Sequence, residues 1–114
     1  MQYLLMIYES EAAWNALSES QQGEIMGGYE ALIAELQQQG VFISGQRLRE
    51  VSTATSVKVR NGQSMVSDGP FAETHEQLGG FFMVECADLD QALAIAAKIP
   101  SAQMGTIEVR PVYQ

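Results

Sequence analysis

The chain is expected to fold as a single α+β domain over residues 1–114, and three observations lead there. Two short apolar runs, Tyr3–Tyr8 (YLLMIY) and Leu78–Cys86 (LGGFFMVEC), have the length and residue types of buried strands. Each precedes a helical stripe that opens on a capping pattern. Between them Asn61-Gly62 joins two strand-like runs, the strongest short hairpin signal, because both turn residues need positive φ.

The elements follow in order. In Tyr3–Tyr8 the residues Tyr3, Leu5 and Ile7 point one way and Leu4, Met6 and Tyr8 the other, so both faces need cover. Residues 9–17, with Ala12, Ala13 and Trp14, are expected to form a helical turn. Ser18 with Gln21 makes a capping box. Ile25, Tyr29, Leu32, Ile33 and Leu36 then recur at helical spacing until Gly40 supplies a left-handed stop. Gly27 and Gly28 inside this helix each cost about 1 kcal/mol against alanine, and close packing of the helix on the sheet would account for them. Residues 41–50 read as a second strand broken near Gly45. Residues 53–60 read as a third, with Val57 and Val59 inward and Lys58 and Arg60 outward. Residues 63–67 return, and Asp68-Gly69-Pro70 closes the hairpin. Asp88 and Gln91 form a second capping pair. Leu89, Ala92, Leu93, Ala96 and Ile99 line a helix that stops before Pro100. Ile107 and Val109 alternate with polar residues in a last strand.

The order β-α-β, hairpin, β-α-β fits a ferredoxin-like antiparallel sheet with both helices on one face and an inserted β-hairpin. That layout leaves an apolar sheet face bare, and a second copy about a two-fold axis is the simplest cover, so a homodimer is expected.

Composition excludes several function classes. The net charge is −8, with six Lys and Arg and no basic run. Nucleic acid and anionic membranes both call for a cationic footprint, and neither is expected as a partner. The lone cysteine, Cys86, forms no internal disulfide, and the apolar start is too short for a signal peptide or a span, so a cytoplasmic protein is expected.

The segment Val66-Ser67-Asp68-Gly69-Pro70-Phe71-Ala72-Glu73-Thr74-His75-Glu76-Gln77-Leu78-Gly79-Gly80-Phe81 resembles the signature of the DGPF subgroup of the YCII-related family. The opening YLLMIYE, the stretch Asp88–Pro100 and the close IEVRPV are similar to the family's first strand, second helix and last strand. The resemblance implies a ferredoxin-like or dimeric α+β-barrel fold. It also implies lyase-like or dechlorinase-like activity, since some YCII-related proteins resemble a dechlorinating enzyme with a histidine–aspartate pair proposed as catalytic. The single histidine, His75, stands where the subgroup usually carries lysine, so only Asp68 carries over as an acid or base. The subgroup's link to extracytoplasmic-function sigma factors implies, as the alternative, a non-enzymatic accessory protein.

The candidate site residues each have a bland reading. Asp68 beside Phe71 would be partly desolvated and suited to proton transfer, or it accepts backbone N–H bonds in a turn. His75 is either an acid–base group or part of a solvated loop. Tyr8, Trp14 and Phe71 would wall a small apolar pocket with Asp68 at its rim, or pack in the core. Arg47, Arg49 or Arg110 would hold a ligand's carboxylate, with Arg47 the first choice, or pair with surface acids. Asp68 and Glu73 offer oxygen ligands without a spacing that enforces a metal site. No phosphate loop, nucleophile elbow or dinucleotide fingerprint is present, and no metal or cofactor is expected.

Overall fold

The computed structural model describes residues 1–114. Its strands are β1 (Gln2–Glu9), β2 (Phe42–Arg47), β3 (Thr55–Arg60), β4 (Gln63–Asp68), β5 (Gln77–Glu85) and β6 (Thr106–Pro111). Its helices are α1 (Glu11–Asn15), α2 (Glu19–Gln38) and α3 (Leu89–Lys98), with 3₁₀ turns at Val51–Thr53 and Pro100–Gln103. Four strands form an antiparallel sheet in the order β2-β5-β1-β6, and β3 with β4 makes a separate two-stranded ribbon. With the ribbon set aside, this is the ferredoxin-like strand order. No helix is long and apolar enough to cross a membrane.

Local chemistry sets the helix ends. Ser18 Oγ accepts the Gln21 N–H at 3.1 Å while Gln21 Oε1 accepts the Ser18 N–H at 2.9 Å, a complete capping box. Asp88 Oδ1 accepts the Gln91 N–H at 2.9 Å, but Gln91 Oε1 reaches the Ala87 N–H instead of closing the box on Asp88. Gly40 stops α2 at φ +74°, and Asn61 and Gly62 turn the ribbon at +53° and +76°.

One face of the sheet carries the core. Tyr3, Leu5 and Ile7 of β1 and Phe82 and Val84 of β5 pack against Leu32 and Leu36 of α2 and Ala92, Ile95 and Ala96 of α3. Leu5, Leu36, Val84 and Ile99 are the largest fully buried side chains. Both long helices lie on this face, as expected.

Several details differ from the sequence reading. The inward face of α3 is Ala92, Ile95 and Ala96, while Leu89 and Leu93 are exposed. The strand at 41–50 is not broken at Gly45; it runs to Arg47 and its irregularity lies between Phe42 and Ser44. Gly28 packs against the Pro100 ring rather than the sheet, with 3.1 Å between Pro100 Cγ and the place a Cβ would take, and Gly27 meets nothing. Val57 and Val59 are not inward, because their ribbon touches no layer that would bury them; they are 62% and 57% exposed.

Candidate active site

The first half of α2 stands off the sheet. Leu32 and Leu36 are buried, but Met26 and Tyr29, a turn or two earlier, are only half-buried. The gap is a cavity of about 170 Å³, walled by Ile7, Met26, Tyr29, Ile33 and Phe82, with Glu9, Arg47, Trp14 and Ser101 as its polar and aromatic rim. It adjoins a polar groove of about 550 Å³ that shares Glu9, Trp14, Arg47 and Gly79 and adds Glu11, Arg49 and Glu50.

Strand alternation places Glu9. Residues 3, 5 and 7 face the helices, and Glu9 is next in the series, a carboxylate where the pattern calls for an apolar side chain. The opposing strand makes room for it. Ile7 pairs with Gly80 and Tyr8 with Leu78, so Gly79 is the extra residue of a bulge. A Cβ at Gly79 would sit 3.3 Å from Glu9 Oε1. The Gly79 carbonyl also accepts the Leu48 N–H at 2.8 Å, which ties down the end of β2 just past Arg47. Gly80 pairs with Arg47, and a Cβ there would stand 2.7 Å from the Gln46 carbonyl oxygen. Close approach of β2 to β5, and with it the position of Arg47, requires glycine at 80.

A hydrogen-bonded chain runs into the site. The Tyr29 hydroxyl donates to Ser101 Oγ at 2.7 Å, and the Ser101 hydroxyl donates to Glu9 Oε2 at 2.9 Å. Ser101 is the one buried polar residue, 4% exposed, and the 3₁₀ turn after α3 holds it there. Burial pushes the Tyr29 hydroxyl above its ordinary value and the charge of Glu9 adds to this, while the Ser101 bond and Arg47 oppose it. Tyr29 is thus a neutral donor near neutral pH. Across the mouth, the Arg47 guanidinium lies 5.3 Å from the centre of the Trp14 ring. Three ion pairs occur in the structure, and none involves Arg47 or Arg49.

Of the residues singled out from sequence, Arg47 and Trp14 line the cavity. Tyr8 lies on the opposite sheet face, paired with Leu78 and Thr106. Asp68 ends β4 opposite Thr55 on the ribbon and is exposed. His75 is exposed in the following loop, and Phe71 is 87% exposed. The structure does not bring these four to the cavity within one chain. Arg110 pairs with Glu108 at 2.8 Å. Cys86 is buried behind the strand, where desolvation raises its thiol and suppresses thiolate chemistry. No group of three or more His, Cys, Asp or Glu is placed to hold a metal ion.

Glu9, Tyr29 and Ser101 are absent from the sequence-derived site. Glu9 had a signal, the break in the alternation Tyr3-Leu5-Ile7. Tyr29 reads as core within the α2 stripe. Ser101 carries no local signal, since 92 positions separate it from Glu9.

Comparison with known proteins agrees with this architecture. The sequence profile of the YCII-related domain matches residues 1–114. An uncharacterized protein of Rhizobium meliloti (strain 1021) is 34% identical over 114 residues, covering 98% of this chain and 92% of its own. Among solved structures, 5-chloro-2-hydroxyhydroquinone dehydrochlorinase from Burkholderia phenoliruptrix, in complex with 2,5-dihydroxybenzoquinone, superposes with a TM-score of 0.52. The match covers 99% of this chain and 94% of that one at 13% identity, a likeness of fold.

Proposed function

We propose, for a chain that belongs to the YCII-related domain family, that the cleft under α2 binds a small single-ring organic molecule and acts on it as a lyase, with Glu9 as the proton acceptor. The observation that carries this reading is the chain Tyr29–Ser101–Glu9, which delivers an oriented carboxylate to a cavity walled on one side by Ile7, Met26, Ile33 and Phe82. Size supports the ligand class. An apolar protein cavity of about 150 Å³ holds one benzene ring, and the inner cavity here is about 170 Å³. The Arg47 guanidinium at the rim suits an oxyanion on that ring.

The chemistry balances without an oxidant. From the keto tautomer of such a ring, whose chlorine-bearing carbon is sp³ and already carries a hydrogen, Glu9 takes a proton from a remaining hydroxyl. The O–H pair becomes a C=O bond, the ring π pair shifts to form a new C=C bond at the chlorine-bearing carbon, and chloride departs with its bonding pair. The Ser101 hydroxyl holds the Glu9 carboxylate in place and donates to its charged form. The dehydrochlorinase that shares this fold supports the choice of elimination, and its chlorinated trihydroxybenzene is the first compound to try. Chloride release by the wild type, lost in Glu9→Gln and kept in Asp68→Asn, is the expected result. Loss in Asp68→Asn with Glu9→Gln active would move the base to the ribbon.

The same reading includes the DGPF subgroup, on Asp68-Gly69-Pro70-Phe71, and a homodimer. Leu4, Met6, Tyr8, Phe81 and Met83 lie on the sheet face away from the helices, with no element over them. Burying such a face at about 25 cal/mol per Å² favours a second copy.

A further inference from the structure

We infer that the β3–β4 ribbon is an arm that packs against a second copy of this chain, an inference that rests on the homodimer reading above. All but one of its twelve strand residues are exposed. It pairs with no strand of the main sheet, and its hydrogen bonds stay within the ribbon or go to the flanking Gly69, whose own N–H donates to the Ala54 carbonyl. An isolated two-stranded ribbon is at best marginally stable in water. Yet one face of this one exposes three valines: Val57 pairs directly with Val66, 62% and 66% exposed, and Val59 follows on the same side, with Thr55, Ser64 and Asp68 completing the face. The arm stretches the molecule. Its radius of gyration is 16.0 Å, against about 13 Å for a compact domain of roughly this length.

Charge identifies the occupant. Lys58 and Arg60 sit on the ribbon, and the chain, at −8 with them, is at −10 without them. With Asp68 counted, the arm keeps a net charge of +1 in a strongly acidic molecule, and the acidic surface in constant supply is that of another copy. Both cations lie on the face opposite the valines, so they steer the encounter while the valines supply the contact. A two-fold axis uses each arm once and covers both.

Area sets how much the arm contributes. Two six-residue strands present a face about 20 Å by about 10 Å, or about 200 Å². Used twice, this gives about 400 Å² per partner, half of the about 800 Å² that a stable interface needs. The bare sheet face must supply the rest, so disabling the arm weakens the dimer without abolishing it.

Sedimentation equilibrium at micromolar concentration tests this with the full chain. The wild type is expected at twice the 12.5 kDa monomer mass. Val57→Asp/Val66→Asp is expected to raise the dimer Kd by about tenfold or more. Lys58→Glu/Arg60→Glu is expected to weaken association, most at low salt, so that added salt then tightens it. Near-UV circular dichroism of Trp14, which lies outside the ribbon, verifies that the variants fold. Val57→Ser/Val66→Ser repeats the measurement if the aspartates disturb the hairpin. A dimeric wild type whose Kd is unchanged in both valine variants overturns the arm and leaves the homodimer standing. A wild type that stays at 12.5 kDa overturns both, whether or not another protein, such as a sigma factor, then protects the arm.

Discussion

Ser101 Oγ donates a hydrogen bond to Glu9 Oε2 at 2.9 Å, joining residues 92 positions apart at the edge of the cavity under α2. The same oxygen accepts from Tyr29 at 2.7 Å, so one serine satisfies two side chains and fixes the direction of the carboxylate. Removing that link gives the first prediction. Ser101→Ala should cost about 1 kcal/mol of stability, since a net hydrogen bond is worth about that much and the half-buried Tyr29 hydroxyl loses its acceptor. Turnover should fall about tenfold or more through a lower kcat, because Glu9 is no longer oriented. Thermal unfolding and steady-state kinetics check the two effects separately, and an unchanged kcat would leave Ser101 with a purely structural role.

The two glycines of the bulge should respond differently to the same small change. At Gly80 a Cβ would stand 2.7 Å from a backbone oxygen, which yields only if β2 moves. Gly80→Ala should cost about 1–3 kcal/mol by overpacking. At Gly79 the neighbour is the end of the Glu9 side chain, 3.3 Å away, which swings aside cheaply. Gly79→Ala should unfold at close to the wild-type temperature but lose activity, because the carboxylate has moved. Comparison of Tm with kcat/KM for the pair would reveal it.

Arg47 should matter little to folding and much to ligand affinity. Its contact with Trp14 is at the surface, where such a pair is worth about 0.5–1 kcal/mol. Arg47→Gln should therefore shift Tm slightly and change the emission of the single tryptophan. Affinity for an anionic ring compound should drop more than affinity for its neutral analogue. Equal losses for both would show that Arg47 closes the cavity without reading charge.

Alkaline pH should destabilise the fold in a defined window. Tyr29 is held above the usual tyrosine value of about 10, chiefly by burial, with the negative charge of Glu9 adding. Cys86 is likewise raised, first by burial. The unfolded chain then gives up each proton before the folded chain does. Their stabilising contribution is complete below the unfolded values and is lost as pH rises through the folded ones. Urea midpoints should therefore decline above about pH 9, and Tyr29→Phe should flatten the part of that decline above about pH 10. A steeper decline in Tyr29→Phe would reverse the sign and contradict the burial of the hydroxyl.

Much of the fold was legible because its signals are local. The Ser18 box, the Asn61-Gly62 turn and the two-faced strands β1 and β5 each follow from a few neighbouring residues, and their order gives the sheet. The insertion of the hairpin was legible from the element order, but its exposure was not: Val57 and Val59 alternate as a half-buried strand would, and nothing local says that no layer meets them. The site was harder still. Arg47 and Trp14 were readable as scarce residue types, but the pairing of Glu9 with Ser101 exists only once β1, the α3 exit and α2 are assembled. Asp68 and Phe71 drew notice as part of a distinctive motif, and in one chain that motif builds the exit of the ribbon, with Gly69 at φ +91°.

The most direct test is to titrate the ¹⁵N-labelled protein with 2,5-dihydroxybenzoquinone and follow the amide resonances. If the cleft under α2 is the binding site, the shifts will concentrate at Glu9, Trp14, Tyr29, Arg47, Gly79 and Ser101, and Arg47→Gln will weaken them. Shifts confined to Asp68–His75, or none at millimolar ligand, would contradict the assignment of the site.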